Sequence, residues 1–237
     1  MMETDTPVYV GIDYSINSPA LCFWDEGRGW TFVAMVNNKF GEYAKYGRTR
    51  KEYKHYKALE YLSDQNDDLM FRCYEGGYHD KDFIVENQQM AVAAWGLAKL
   101  VATLIYKHCV TGDGEFRGVR IGLEGASFMS KERNSTDLNM FNGILRGVLA
   151  NTFGKETLFV FPPSAVKKKA GKGNYNKDEM ITAFVGAGPT ASTLHRYVAG
   201  EYAKDKKNCK PLDDLCDAYW VVETLKDHFT NNDNDQK

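Results

Sequence analysis

Four carboxylates occupy positions at which a metal-dependent reaction could use them. Asp13 and Glu124 each close a short apolar, β-rich run. Asp214 and Asp217 are three residues apart in the run PLDDLCDAYWVV, and this spacing puts two side chains on one face of a helix. In α/β proteins, ligands collect outside the carboxyl ends of strands. We therefore expect the acids to share one site if the two runs form neighbouring strands.

Carboxylates that meet away from water repel one another unless a cation neutralises them. Hard oxygen ligands select Mg²⁺, with Mn²⁺ as the alternative. Two such ions, about 3.5–4 Å apart, can hold the attacking water and the leaving oxygen of a phosphodiester. The pattern therefore favours phosphodiester hydrolysis with two Mg²⁺ ions in the site.

Each acid alone also has an ordinary structural interpretation. A single Asp after a strand is usually a turn or cap residue, and Asp213 and Asp214 could simply cap a helix and complement its dipole. Asp217 fits this interpretation less well, because apolar residues surround it and a carboxylate in such a setting is rarely buried without a partner. The combination is more specific than any one residue.

The elements that must position these acids alternate between strands and helices. Apolar runs predict five strands, at Val8 to Asp13, Ala20 to Trp24, Trp30 to Val36, Gly118 to Glu124 and Leu158 to Phe161. Helical periodicity predicts helices at Val85 to Cys109, Thr136 to Thr152, Asn176 to Val185 and Leu212 to Phe229. This order predicts an α/β fold, a five-stranded mixed sheet flanked by helices.

One stretch interrupts that plan. Asn37 to Asp82 is rich in Tyr, Lys, Arg and Asp, and it shows only weak helical periodicity around Lys51 to Leu62. We expect it to be an insertion after the third strand. Residues 1–229 then form a single domain, and the polar segment 230–237 is expected to be a disordered tail.

Composition narrows the class of protein. The chain has 237 residues and a formal net charge of -2, so any contact with nucleic acid must be local. Its five cysteines include no C-x-x-C pair, which fits neither a zinc site nor a disulfide framework. We see no apolar run of about 20 residues and no signal peptide. We expect a cytoplasmic protein with no membrane contact.

Two basic segments are candidates for DNA contact. The first is a glycine-rich cluster that could follow a phosphate backbone, formed by Lys167, Lys168, Lys169, Lys172 and Lys177. The second runs from Lys45 to Lys57 and interleaves tyrosines with basic residues, among them Arg48, Arg50 and Lys51. Aromatic residues among cations can stack on unpaired bases. A solvated surface helix explains the second segment equally well.

Several motifs resemble those of RuvC-type Holliday junction resolvases, which belong to the RNase H-like superfamily. GIDYS at 11–15 resembles the opening motif of that family, and LEGASFM at 123–129 with the following GILRGVL resembles the second motif. FPPSAVKK at 161–168 and NKDEM at 176–180 are similar to the segment that leads to a lysine-bearing helix. DDLCDAYWV at 213–221 resembles the closing motif. The likeness covers about 60% of the chain by the motif-bearing segments.

The resemblance implies a fold, a site and a substrate. The fold would be RNase H-like, and the metal ligands would be Asp13, Glu124, Asp214 and Asp217. Lys177 would lie near the scissile phosphate, with Lys167 or Lys168 as a second lysine, and Phe128 would lie near an aromatic residue that wedges into the junction. The family cuts four-way DNA junctions as a homodimer, with one nick from each subunit.

Departures from the family pattern favour a divergent branch, such as a viral one. Tyr-Ser-Ile follows Asp13 where cellular members have Pro-Gly-Ser or similar, and compact members lack the 37–82 stretch. Three alternatives stay open. A nuclease for flaps or RNA–DNA hybrids would use the same chemistry, and a silent junction-binding protein would not need all the acids. An actin-like ATPase or sugar kinase would need a second half with a phosphate loop.

Overall fold

The structure, a computed structural model, describes residues 6–39, 41, 43, 50–125, 133–201 and 210–234. Two of the predicted DNA-contacting residues, Arg48 and Phe128, lie outside the described residues, as do the side chains of Arg50 and Lys51. Cys209 also lies outside them. The cysteines at positions 22, 73 and 109 are free thiols.

The described residues form strands, α-helices and one short 3₁₀ helix, Lys155–Thr157. The strands are β1 (Val8–Asp13), β2 (Ala20–Asp25), β3 (Gly29–Asn37), β4 (Leu69–Tyr74), β5 (Val119–Glu124) and β6 (Leu158–Phe161). The α-helices are α1 (Arg50–Ser63), α2 (Phe83–Cys109), α3 (Arg133–Phe153), α4 (Pro163–Ala170), α5 (Lys177–Ala187), α6 (Thr193–Glu201) and α7 (Leu212–Asn234).

The strands form one mixed sheet in the order β4-β3-β2-β1-β5-β6. β2 runs antiparallel to both of its neighbours, whereas the pairs β3–β4, β1–β5 and β5–β6 are parallel. β1 and β5 lie side by side, in register from Val8–Val119 to Ile12–Leu123. Their carboxyl ends therefore emerge together, as the sequence predicts. The predicted α/β fold, a mixed sheet flanked by helices, is confirmed.

The sheet has six strands where five were predicted. The additional strand β4 lies inside the stretch interpreted as an insertion and pairs in parallel with β3 at the sheet edge. Leu69 and Phe71 of β4 are buried, while Arg72 and Cys73 are exposed. The alternation is short and sits in polar surroundings, which hid this edge strand from the sequence pattern.

Helix bounds differ from the prediction at two functional points. The lysine-rich segment expected to be a loop forms the last turn of α4, with Lys167, Lys168 and Lys169 on it. The last helix continues to Asn234, beyond the predicted end at Phe229. Asn176 caps α5 as predicted, and a reciprocal bond from its backbone N–H to Glu179 completes a capping box.

Helices cover both faces of the sheet. α2 and α3 pack on one face, and α1 and α4–α7 pack on the other. By length and composition alone α2 could cross a membrane, so the expectation that no run reaches that length does not hold for it. A core helix of a soluble protein has the same character. Leu97, Val101 and Ile105 of α2 are buried among the side chains of β1 and β5.

Candidate active site

The strand alternation points Asp13 and Glu124 to the same face of the sheet. Val10 and Ile12 of β1 contribute to the core beneath α2 and α3. Gly11 lies between them in the strand and Asp13 follows Ile12, so both residues face α7. The same period in β5 places Ile121 and Leu123 beneath α2 and α3, so Glu124 faces α7. The two carboxylates follow the Ile12–Leu123 pair on adjacent parallel strands.

Two glycines let α7 approach that face closely. Gly11 of β1 is paired with Gly122 of β5. A Cβ on Gly11 would collide with the Ala218 carbonyl oxygen and would lie 2.8 Å from Val222 Cγ2, and a Cβ on Gly122 would lie 2.8 Å from Val221 Cγ1. The absence of these side chains brings the first turns of α7 against the ends of β1 and β5.

The four predicted acids act on one another electrostatically. Burial raises the pKa of Asp13 well above its usual range, and the charges of Asp214 and Asp217 raise it further, as does that of Glu124. Burial likewise raises the pKa of Asp217, with Glu124 and Asp214 adding to the shift. Asp13 is thus close enough to the other three acids, and Asp217 to Glu124 and Asp214, for their charges to oppose its ionisation.

Asp214 has a defined environment at the start of α7. It is 2% exposed. Ser18 Oγ donates a hydrogen bond of 2.6 Å to its Oδ2, and Lys210 Nζ contacts its Oδ1. Burial raises the pKa of Asp214 and Lys210 opposes that shift, yet the net direction is upward. Asp214 is therefore a buried carboxylate with both oxygens engaged.

Asp213 is also part of this cluster, although the sequence suggested only a capping role. It is 2% exposed, and its Oδ2 contacts Lys177 Nζ and lies 3.7 Å from Lys210 Nζ. Burial raises its pKa, but the ammonium groups of Lys210 and Lys177 outweigh that effect and lower it. Its other oxygen, Oδ1, is buried without a hydrogen-bond partner. An unsatisfied buried carboxylate oxygen fits a site that binds a further donor or a cation.

The chemistry of these donors suits a hard divalent ion, because every candidate ligand is a carboxylate oxygen. Their arrangement in this structure, however, is not that of a metal site. Among the described residues, no group of three or more Asp, Glu, His or Cys side chains is arranged to hold a metal ion. The carboxylates at the start of α7 instead surround the ammonium of Lys210. The acids thus fit Mg²⁺ or Mn²⁺ in type, while an ammonium is their nearest cation.

The predicted basic residues fall into two groups. Lys177 is 59% exposed and reaches Asp213 at the edge of the acidic cluster, and the attraction of that carboxylate outweighs burial and raises its pKa. Lys168 and Lys172 are exposed, and the charge of Lys167 acts on Glu124. Lys169 points elsewhere, since its Nζ lies 2.7 Å from Asp227 Oδ2 on α7.

Sequence reasoning missed two contributors, Lys210 and Ser18. Lys210 lies four residues before Asp214, and this spacing, with the lysine first, was the available signal. Ser18 lies in the β1–β2 connection, 196 positions from Asp214, and nothing in its local pattern indicates the bond that it donates. Asp213 was named only as a cap.

Comparisons with known proteins give fold likenesses only. The sequence matches no protein-family model and no curated protein. The structure is similar to that of Thermus thermophilus RuvC, with a TM-score of 0.46, 12% identity, and 94% of this chain and 96% of that chain covered.

The yeast mitochondrial Holliday junction resolvase Ydc2 gives a TM-score of 0.46 at 12% identity, with 97% of this chain and 84% of that chain covered. T. thermophilus RuvC in complex with Holliday junction substrate gives a TM-score of 0.41 at 12% identity, with coverages of 95% and 97%. The function proposed below rests on the residues of the site.

Proposed function

We propose that this protein is a divalent-metal-dependent DNA endonuclease that resolves four-way junctions. The observation that carries the proposal is the convergence of Asp13, Glu124, Asp214 and Asp217, where the other three acids oppose the ionisation of Asp13, and Glu124 and Asp214 oppose that of Asp217. A protein that uses these residues only for folding gains nothing from such repulsion. A cluster of raised pKa values in a partly exposed site is typical of a functional centre.

The residues of the chain would hold and complement Mg²⁺, with Mn²⁺ as an alternative and two ions in each site. Asp13, Glu124, Asp214 and Asp217 would supply the oxygen ligands. When bound, the ions would lower the pKa of the attacking water and stabilise charge on the phosphate. Ser18 fixes the rotamer of Asp214 through a bond of 2.6 Å, and the approach of α7 to Gly11 sets the separation between strand and helix acids.

Basic residues beside the cluster would position the DNA backbone. Lys177 extends from the first turn of α5 to Asp213, so its exposed ammonium stands at the edge of the acidic site. Lys168 and Lys172 are exposed on the segment that leads to α5, and Lys167 is near enough to Glu124 to oppose its raised pKa. A phosphate held by these lysines would lie next to the carboxylates.

The choice of a four-way junction comes from the motif resemblance, as does the expectation of a homodimer. A nuclease for flaps or for RNA–DNA hybrids would need the same carboxylates, so the site does not separate these substrates. Two copies that cut a junction symmetrically would leave paired nicks at equivalent positions of opposite strands. This pattern distinguishes junction resolution from the action of a flap nuclease.

The test is a cleavage assay on a synthetic four-way junction, a flap and an RNA–DNA hybrid, with Mg²⁺ or with EDTA. We expect paired nicks in the junction, only with Mg²⁺. Asp217→Asn should abolish cleavage while junction binding survives. Asp67→Asn is the matched control, because Asp67 is an exposed acid between α1 and β4, away from the cluster.

Unchanged cleavage by Asp217→Asn would show that the site is wrongly assigned. Preferential cutting of flaps or hybrids would keep the chemistry and replace the substrate. Junction binding without cleavage in Mg²⁺ or Mn²⁺ would instead favour a silent binding protein.

A further inference from the structure

Lys210 places an ammonium group inside the carboxylate cluster. We propose that Lys210 is a built-in counter-ion of this site and that a divalent ion must displace it from Asp214. The inference rests on the proposed function, since it concerns how the same site exchanges one cation for another. Competition with Lys210 would give the two expected ion positions unequal affinities.

The contacts of Lys210 occupy the oxygens that an ion would need. Its Nζ contacts Asp214 Oδ1 and lies 3.7 Å from Asp213 Oδ2. Ser18 holds the other oxygen of Asp214. A carboxylate oxygen has two lone pairs, so Ser18 can keep its bond while Oδ2 is shared. Oδ1 can bind an ion closely only when the ammonium leaves, because two cations at one oxygen would repel each other.

Among the described residues, no salt bridge places such a cation at the other half of the cluster, Glu124 and Asp217. Among the residues that the structure describes, the ion pairs at the site join lysines to Asp213 and Asp214, and none joins a lysine to Glu124 or Asp217. Lys177 and Lys167 act on Glu124 only from a distance. An ion can therefore enter between Glu124 and Asp217 without removing a resident charge, whereas an ion at Asp214 competes with Lys210.

The position of Lys210 in the chain suits displacement. It precedes the first residue of α7, Leu212, by two positions, so its side chain can turn away without unwinding the helix. Its side chain is 29% exposed, which leaves a route to solvent. Its long flexible stem allows the ammonium to withdraw while the backbone stays in place.

The experiment measures Mn²⁺ binding to the full chain by calorimetry and by electron paramagnetic resonance, and thermal unfolding in EDTA. Wild type should bind two ions with unequal affinities. Lys210→Met should increase the Mn²⁺ affinity of the weaker site by about 10-fold, the size of a typical coupling between sites. The affinity of the tighter site should not change. It should also lower the melting temperature in EDTA, and Mn²⁺ should raise that temperature more in the variant than in wild type.

Two further variants complete the design. Lys99→Met removes an exposed lysine of α2, on the other face of the sheet, and should change neither affinity. Lys210→Arg keeps the charge and can hold Asp214 through two hydrogen bonds, so it should lower the Mn²⁺ affinity of the weaker site. If Lys210→Met does not fold, the change in Mn²⁺ affinity caused by Lys210→Arg still tests whether the ion displaces Lys210.

The outcomes separate the two proposals. Mn²⁺ binding that neither Lys210 variant alters, or weaker binding in Lys210→Met, would overturn the displacement of Lys210 and leave the nuclease proposal standing. No Mn²⁺ binding by wild type or variants would overturn both. Tightening in Lys210→Met together with weakening in Lys210→Arg is the expected result.

Discussion

Two carboxylates at opposite ends of the central strands contrast an acid with a structural role and one for which we propose a functional role. Asp25 ends β2 at 1% exposure, and Arg117 Nη1 lies 2.8 Å from its Oδ2. Backbone N–H groups of Gly27 and Arg28 donate to its Oδ1. Burial raises its pKa, but Arg117 and these bonds outweigh burial and lower it. Asp25 is stabilised by its surroundings.

Asp13 at the end of β1 has the opposite environment. Its strongest electrostatic neighbours are other carboxylates, and the ammonium of Lys210, which opposes them, contacts Asp214. Among the residues that the structure describes, no arginine forms a salt bridge with Asp13 as Arg117 does with Asp25. The comparison supports the proposal that these carboxylates serve ion binding, although their mutual repulsion lowers the stability of the fold. Functional sites commonly lower stability in this way.

The largest expected effect is a reversal of sign between Asp25→Asn and Asp13→Asn in EDTA at neutral pH. Asp25→Asn removes the partner of Arg117 and should lower the free energy of unfolding by about 3 kcal/mol. Asp13→Asn removes a repelled charge and should raise it by about 1 kcal/mol while abolishing cleavage. Urea denaturation of wild type and both variants measures the change.

The pH dependence of folding stability is a control for the opposite effects expected of Asp25→Asn and Asp13→Asn. The folded-state pKa of Asp13 is raised above 3.8, so its contribution to stability is present below that value and is lost as pH rises through the raised pKa. The pKa of Asp25 is lowered, so its contribution is present above 3.8 and is lost as pH falls through the lowered value. A loss of stability in Asp13→Asn equal to that in Asp25→Asn would contradict the comparison.

The sequence could identify Asp13 and Glu124 because strand ends follow from local alternation. It could also place Asp214 and Asp217 on one helical face, since that needs only the helical period. The adjacency of β1 and β5 was only a condition of the sequence-based hypothesis, and the structure shows that the two strands pair. What could be predicted is thus set by periodicity and by chain order.

The remaining contributors depend on contacts that no period encodes. Ser18 reaches Asp214 only because the β1–β2 connection passes the start of α7. Asp25 looks like any turn aspartate until Arg117 from another part of the chain lies beside it. β4 was missed because an edge strand with few buried side chains carries a weak pattern. Long-range pairing decided each of these cases.

A second test asks whether the carboxylate end depends on the close approach of α7. Gly11→Ala places a methyl group against the Ala218 carbonyl and should cost about 1–3 kcal/mol of folding free energy. Because α7 carries Asp214 and Asp217, a displacement of about 1 Å should also lower the cleavage rate on the order of 100-fold. Denaturation and single-turnover cleavage measure the two effects.

Gly147→Ala in α3 is the matched control. No atom lies within 4 Å of the Cβ that this substitution adds, so the variant should gain about 0.5–1 kcal/mol and should cut at the wild-type rate. Full activity in Gly11→Ala would mean that the acids do not need this helix position. The spacing argument would then be wrong even if the four acids are correctly assigned.

The smallest expected effect extends the comparison to the lysines of α4. Lys169 resembles Asp25 in having a built-in partner, since its Nζ lies 2.7 Å from Asp227 Oδ2, whereas Lys168 is exposed. We expect Lys168→Ala to weaken junction binding and to reduce the slope of log affinity against log salt by about 1, as for the loss of one phosphate contact. Lys169→Ala should leave that slope near the wild-type value.

Binding is measured by fluorescence anisotropy in the Asp217→Asn background with Mg²⁺, so that the junction stays intact. Each lysine contributes one charge to the same helix turn, and a general loss of positive potential would lower both slopes alike. A difference between them therefore reports a local phosphate contact at Lys168. Equal reductions of the slope in the two variants would mean that α4 attracts DNA only through its summed charge. Lys168 and Lys169 would then be functionally equivalent.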